Sequence, residues 1–375
     1  MHTRFFSGKL IIASIITIFL TTLLISCPDP IPLVKVLPVD PSYIGWATVG
    51  DGTYGGSDLE PVTVTTKSGF ASAISGNRQK VIIVDGSGGV IDLGMGTVYL
   101  IGSNKTIRGI NNAVLQHGNL KLLGVNNVII QNLTVCDAVD PNPTWDSSDG
   151  WNNRYDCISV EGSSHIWIDH VEIYNTVIDE DDYIAKYGSL TNYSSYCWYD
   201  GLLDITKGAN YITVSNCNIH HNSKTCLLGS TDDHDYDVGK LKVTWFGNYF
   251  HDAGSRIPRV RFGQVHVFNN YYENITDYAL GRGDHCSIYS ENNYFNDVYR
   301  PVRAYDDIAN RGYVYDTGSA TENCNMINLA PTDPAMLPLI ADSSSWDPST
   351  YYTYTADTAD AAMVTAITTN AGPQP

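Results

Sequence analysis

Short apolar runs with alternating polarity recur along this chain, each followed by Asn or another polar residue and then by a second short apolar run. Seven segments share the pattern: NKTIRGI from Asn104, NNVIIQNLTV from Asn126, HIWIDHVEI from His165, NYITVSNCNI from Asn210, LKVTWFGNYF from Leu241, QVHVFNNYY from Gln264 and SIYSENNYF from Ser287. A period of two predicts half-buried strands, not helices. With Asn132, His170, Asn216, Asn248, Asn270 and Asn293 as markers, the last three fall 22 and 23 residues apart. Earlier gaps of 38, 46 and 32 read as the same unit carrying loop insertions.

A strand-rich unit with this period predicts a solenoid, because one coil cannot bury its apolar face alone and stacking coils makes a continuous core. The Leu spacing of leucine-rich repeats is absent, so an all-β parallel β-helix is expected. Asn and aromatic residues returning at one phase suit stacked ladders whose amides satisfy the backbone at tight turns. His165, His170 and His266 are then ladder or wall residues. An open solenoid end needs a cap, and SGFASAIS, from Ser68 to Ser75, reads as a short amphipathic helix for that purpose.

Composition agrees. The 375 residues include 25 Tyr and 32 Gly, a strand-and-turn usage. With 22 Lys+Arg against 40 Asp+Glu the net charge is −18. This argues against nucleic acid as a partner, and against a polyanion unless local cations or a metal override the global field. At the N-terminus, Arg4 and Lys9 precede an uncharged run from Leu10 to Ser26, a signal-peptide pattern. It ends LLISC at Cys27, which resembles a bacterial lipobox and implies a lipid on Cys27. The expected division is a signal peptide over 1–26, a lipidated Cys and Pro-rich tether over 27–44, and one domain over 45–375. The seven further cysteines leave disulfide pairing open, and the absence of CxxC argues against a zinc site of that kind.

The largest insertions lie between Cys136 and Asp156 and between Asn175 and Asp200, and loops on one side of a solenoid build its binding face. Both lead into acids: Asp156 in YDCISVEG, and Asp200 and Asp204 in WYDGLLDITKG. Three neighbouring carboxylates are hard oxygen ligands suited to Ca²⁺, or else solvated loop acids. On a straight strand Asp200 and Asp204 would stand roughly 13 Å apart, so Gly201 is expected to permit a turn. A second acidic run, TDDHDYD from Thr231 to Asp237, reads as a solvated loop. In SRIPRVRFG, Pro258 keeps Ile257 extended. Alternation then puts Arg259 and Arg261 on one side and Arg256 on the other, unless the chain bends. Lys224, in HHNSKTCLLGS, sits one coil earlier and faces the same groove.

Taken together, WIDH at Trp167–His170, DGLLD at Asp200–Asp204, Lys224 within KTCLLGS and RIPRVRFG at Arg256–Gly263 resemble the secreted pectate lyases of the pectate lyase/pectin lyase superfamily. GWATVGDGTYGG near Gly45, SNKTIRGI near Ser103 and the closing Ala371–Gly372 also fit, so the resemblance spans about Gly45 to Gly372. It implies a right-handed parallel β-helix enzyme that cleaves polygalacturonate by β-elimination with Ca²⁺. It implies Asp156, Asp200 and Asp204 as Ca²⁺ ligands, Arg256 as the base, and Lys224 and Arg261 as holders of substrate carboxylates; Arg259 is left structural. A monomer, exported and lipid-anchored, is expected. A glycoside hydrolase using the 232–237 acids and a non-catalytic glycan-binding solenoid are the rival readings.

Overall fold

The computed structural model describes residues 35–148, 150–233, 235–304, 312–324 and 346–375. The signal run, Cys27 and the first part of the tether lie outside them. Among the described residues three parallel sheets account for nearly all strands. Ten strands form one sheet, from Val62–Val64 to Tyr313–Thr317; nine form the second, from Ile91–Asp92 to Ala320–Glu322; eight form the third, from Val98–Leu100 to Val302–Ala304. Each coil gives one strand to each sheet in turn. One coil supplies Asn210–Ser215, Asn218–Lys224 and Cys226–Leu228; the next supplies Lys242–Phe246, Tyr249–Ser255 and Arg259–Val260. The chain is a right-handed parallel β-helix.

Alternation sets the register. In the ten-stranded sheet Ile166, Ile212, Val243 and Val265 stack inward, one above the next, all fully buried. A slip by one residue would turn this column to the outside, and each such side chain is worth about 1.5–3 kcal/mol buried. At the bends Asn132, His170, Asn216, Asn269 and Asn292 adopt positive φ, which Asn and His tolerate better than most residues. Asn248, Asn270 and Asn293 stand one residue further on and form a buried ladder: Asn248 Nδ2 donates to Asn270 Oδ1 at 2.8 Å, and Asn270 Nδ2 to Asn293 Oδ1 at 3.0 Å. The six markers therefore span two adjacent phases. The counterpart of Asn216 in the next coil is Gly247, whose φ is 65°; a Cβ there would sit 2.5 Å from Asn216 Oδ1.

The expected cap is helix α1, Lys67–Ile74, with Thr66 Oγ1 accepting from Gly69 N and Phe70, Ala73 and Ile74 buried on the core. Two further helices were not foreseen. Helix α2, Glu180–Tyr187, lies in the second insertion, with Asp179 as N-cap, three acids in its first turn and left-handed Gly188 at its end. Helix α3, Ala361–Asn370, buries Met363 and Ile367 against Tyr249, Tyr271 and Tyr294 of the nine-stranded sheet. The chain then returns, Gly372 N donating to Asn216 O.

The outer face of the ten-stranded sheet is closed by the chain's own ends. Trp167, Thr213, Thr244 and His266 form one outward column, all fully buried. Thr244 and Thr213 accept from the N–H groups of Trp46 and Ala47, and His266 lies between Tyr352 and Glu291. His165 stacks on Tyr211 and His170 pairs with Asp169, so these histidines are wall residues. Residues 35–44, the end of the expected tether, also touch the solenoid: Tyr43 packs on Trp167 and Val36 N donates to Ser57 Oγ. The cysteines among the described residues are all free, six of them buried.

Candidate active site

The eight-stranded sheet and the strand ends leading into it carry every candidate residue. Asp156 precedes the strand Ile158–Glu161, Asp200 precedes Leu203–Thr206, and Asp204 lies within it. Ser159, Asp204, Leu227 and Arg259 stack in one outward column across four coils, above inward Ile158, Leu203 and Cys226. Lys224 ends the strand Asn218–Lys224 and pairs in register with Ser255, which immediately precedes Arg256. The topology thus brings acids from two coils and cations from the next two to one end of one sheet.

Asp156 and Asp204 meet at Gly201. Gly201 N donates to Asp156 Oδ1 at 3.0 Å, and a Cβ on Gly201 would lie 2.6 Å from Asp204 Oδ1 and 3.0 Å from Asp156 Oδ1. Glycine is required for close approach, not for a positive φ; the bend falls at Leu202. Ser159 Oγ donates to Asp156 Oδ2 at 2.7 Å, and Leu227 N to Asp204 Oδ1 at 3.2 Å. Burial, then the charge of Asp200, pushes the Asp156 carboxyl up to about 7. Burial, then Asp156 and Asp200, pushes Asp204 well above the carboxylate range, against the pull of the Arg256 charge. The three sets of oxygens do not all lie within 4.8 Å of one another, so the trio is open. An all-oxygen, partly buried acidic cradle that a methyl group would fill fits a hard cation such as Ca²⁺, which takes six to eight oxygens and shares them with water or substrate.

The arginine stretch bends, as alternation alone would not allow. Arg256 has φ 63°, the Ile257–Pro258 bond is cis, and Ile257 and Pro258 are buried. Arg256 is therefore released from the strand phase and placed near enough to Asp204 to act on its charge. Its guanidinium makes no hydrogen bond or ion pair with the described residues. Lys224 Nζ donates to Trp151 O at 3.2 Å. Trp151 belongs to a hairpin of the first insertion, Thr144–Asp146 against Gly150–Asn152. Nothing in the sequence pointed to this contact, since it is made by a backbone carbonyl.

Arg261 lies further along the sheet, and its side chain is 10% exposed. Nε donates to Asp232 Oδ1 at 2.6 Å and Nη1 to Gly229 O at 2.9 Å, leaving Nη2 without a partner among the described residues. Asp232 is thus an ion-pair partner and Asp237 is buried, accepting from Gly208 N at 2.6 Å. The expectation of a solvated acidic loop over 231–237 fails at both, because the run folds back against strand ends whose donors need acceptors. His234 lies outside the described residues. Ser159 and Asn222, whose amide donates to Asp200 O, are supporting residues that the sequence reading missed.

A family model described as pectate lyase matches residues 9–375. Pectate lyase E of Dickeya dadantii (strain 3937) is 31% identical over 387 aligned positions, covering 96% of this chain and 93% of that protein. A pectate lyase of Bacillus subtilis (strain 168) is 37% identical over 262 positions, 66% of this chain and 60% of that one. Among solved structures, a thermostable pectate lyase superposes with TM-score 0.73 at 26% identity over 88% of this chain and 96% of that one. A pectate lyase bound to a hexasaccharide superposes with TM-score 0.70 at 26% identity, over 88% and 96%. The chain belongs to the pectate lyase family and is a polysaccharide lyase.

Proposed function

We propose that this chain is a Ca²⁺-dependent lyase that cleaves α-1,4-linked polygalacturonate by β-elimination, leaving 4,5-unsaturated oligogalacturonates. The observation that carries this reading is the convergence of Asp156 and Asp204 on Gly201, with Arg256 beside them and Lys224 on the neighbouring coil. Asp156, Asp200 and Asp204 would hold the ion. When bound, Ca²⁺ supplies positive charge next to the substrate carboxylate and so acidifies the adjacent carbon 5. Lys224 and the free edge of Arg261 orient sugar carboxylates. Arg256 accepts the carbon 5 proton, the electron pair forms the bond between carbons 4 and 5, and the oxygen on carbon 4 leaves. Free arginine keeps its proton far above neutral pH, so this role needs neighbouring positive charge, Lys224 included, and predicts activity that rises into alkaline pH.

The pairing of Asp232 with Arg261 weighs against the hydrolase reading, since it commits the acid that reading needs. Export through the N-terminal run and anchoring through lipid on Cys27 belong to the same proposal; Cys27→Ser should release the protein from membranes. The test of the reaction is near-ultraviolet absorbance of polygalacturonate incubated with the protein. Absorbance should rise, stop on chelation and return with Ca²⁺. Chain shortening without absorbance would favour a hydrolase, and binding with neither would favour a non-catalytic solenoid.

A further inference from the structure

On the outer face of the nine-stranded sheet three histidines stand together. His220 and His221 lie in the strand Asn218–Lys224, and His251 is the register partner of His220 on the next coil. Consecutive strand residues ordinarily point to opposite faces. Here His221 has φ 53°, which turns its ring to the side of its neighbour. The ring nitrogens Nδ1 of His220 and His221 face each other at 2.6 Å. The rings of His220 and His251 stack at 4.5 Å, and His221 meets both edge-on. Among the described residues this is the one group of three or more His, Cys, Asp or Glu residues whose ligating atoms all lie within 4.8 Å of one another.

We propose that His220, His221 and His251 form a binding site for one borderline divalent ion of the Zn²⁺ class, separate from the carboxylate cradle. Imidazole nitrogens select Zn²⁺ and its neighbours over Ca²⁺, which takes oxygens. Carboxylates that would orient two of the three imidazoles are already in place, as is usual for ligating histidines. His220 Nε2 is 3.5 Å from Glu172 Oε1, itself held by Thr134, and His251 Nδ1 is 2.7 Å from Asp252 Oδ2, itself held by Asn274. His251 Nε2 also meets Asn218 Oδ1 at 3.0 Å. All three rings are half-buried, so an ion can enter from solvent. Three donors leave one tetrahedral position for water. Closing on the ion requires His251 to tilt out of its stack, and the bound ion would fix the strand that delivers Lys224, three residues beyond His221.

The experiment is calorimetric titration of the purified protein with Zn²⁺ in excess Ca²⁺, which occupies oxygen sites. One equivalent should bind. Loss of even an outer partner of a metal-bound histidine costs about 10–100-fold in affinity, so His251→Phe and His221→Asn should each cost about a hundredfold or more. The first keeps a ring in the stack, and the second keeps a residue that tolerates positive φ. Exposed His285→Ala should change nothing. Binding that survives in both variants, or no stoichiometric binding by the wild type, overturns the proposal. The wild type loaded with Co²⁺ gives a second reading that needs no variant. Intense visible bands of a four-coordinate nitrogen site are expected, and only the weak bands of six-coordinate Co²⁺ would contradict it.

Discussion

Two outward columns of this solenoid share one backbone geometry and differ in what covers them. On the ten-stranded sheet, Trp167, Thr213, Thr244 and His266 are sealed by the chain's own ends, and their polar groups find partners within the protein. On the eight-stranded sheet, Ser159 is buried but Asp204, Leu227 and Arg259 stay half-exposed beside Asp156 and Asp200, and the acids repel one another. A coil supplies position at no further cost. Whether a position becomes wall or site depends on whether the chain completes its hydrogen bonds and charges there. In the cradle the carboxylates are hydrogen-bonded but crowded, and that crowded negative charge is what a cation would offset.

The largest effect is expected at the proposed base on the open face. Arg256→Lys keeps the charge but moves the atom proposed to accept the proton, so kcat should fall by on the order of a hundredfold or more with KM little changed. Steady-state rates at saturating Ca²⁺ across alkaline pH check this, and a kcat near wild type would shift the base to Lys224. Next comes Arg261. Its removal leaves Asp232 and the Gly229 carbonyl without their donor, so Arg261→Ala should raise KM and also cost about 1–3 kcal/mol in denaturant unfolding. Asp232→Ala should weaken substrate binding in the same direction by freeing the guanidinium to move. If Asp232→Ala leaves KM unchanged, the pair is structural only.

The strands and the solenoid are legible in the sequence because they follow from period-two alternation, whereas the role of Asp156, Asp200 and Asp204 rests on the family resemblance, since residue type alone leaves solvated loop acids equally open. The sequence reading reached α1 through its apolar face, but not α2 or α3, whose signals are caps and short-range acids with little periodicity. It missed the contact of Lys224 with the Trp151 carbonyl and the pairing of Arg261 with Asp232, because long-range partners leave no mark in spacing. Gly201 was singled out for the wrong physical reason: closeness of two carboxylates, not a turn, excludes a side chain there.

On the closed face, effects should be confined to stability. Thr213→Val and Thr244→Val each strand a backbone N–H of the N-terminal segment, at a cost of about 1–3 kcal/mol. Turnover should not change; a loss of kcat in either would mean that the closed wall and the open groove are coupled. The smallest effect is a pH dependence. Burial holds His266 below the ordinary imidazole value, although Glu291 pulls the other way. The unfolded chain therefore binds more protons than the folded one below about pH 6.5. Stability should be complete above that value and decline as pH falls through it, and His266→Gln should flatten the decline in thermal melts.

The most direct test of the difference between the two faces is the melting temperature of the wild type and of Asp204→Asn, each with Ca²⁺ and with chelator. If the cradle holds mutually repelling acids for a cation, removing one charge relieves the repulsion and removes a ligand together. Asp204→Asn should melt higher than wild type in chelator, while only the wild type gains from Ca²⁺. A variant that melts lower in chelator, or that gains as much from Ca²⁺ as the wild type does, would contradict the account.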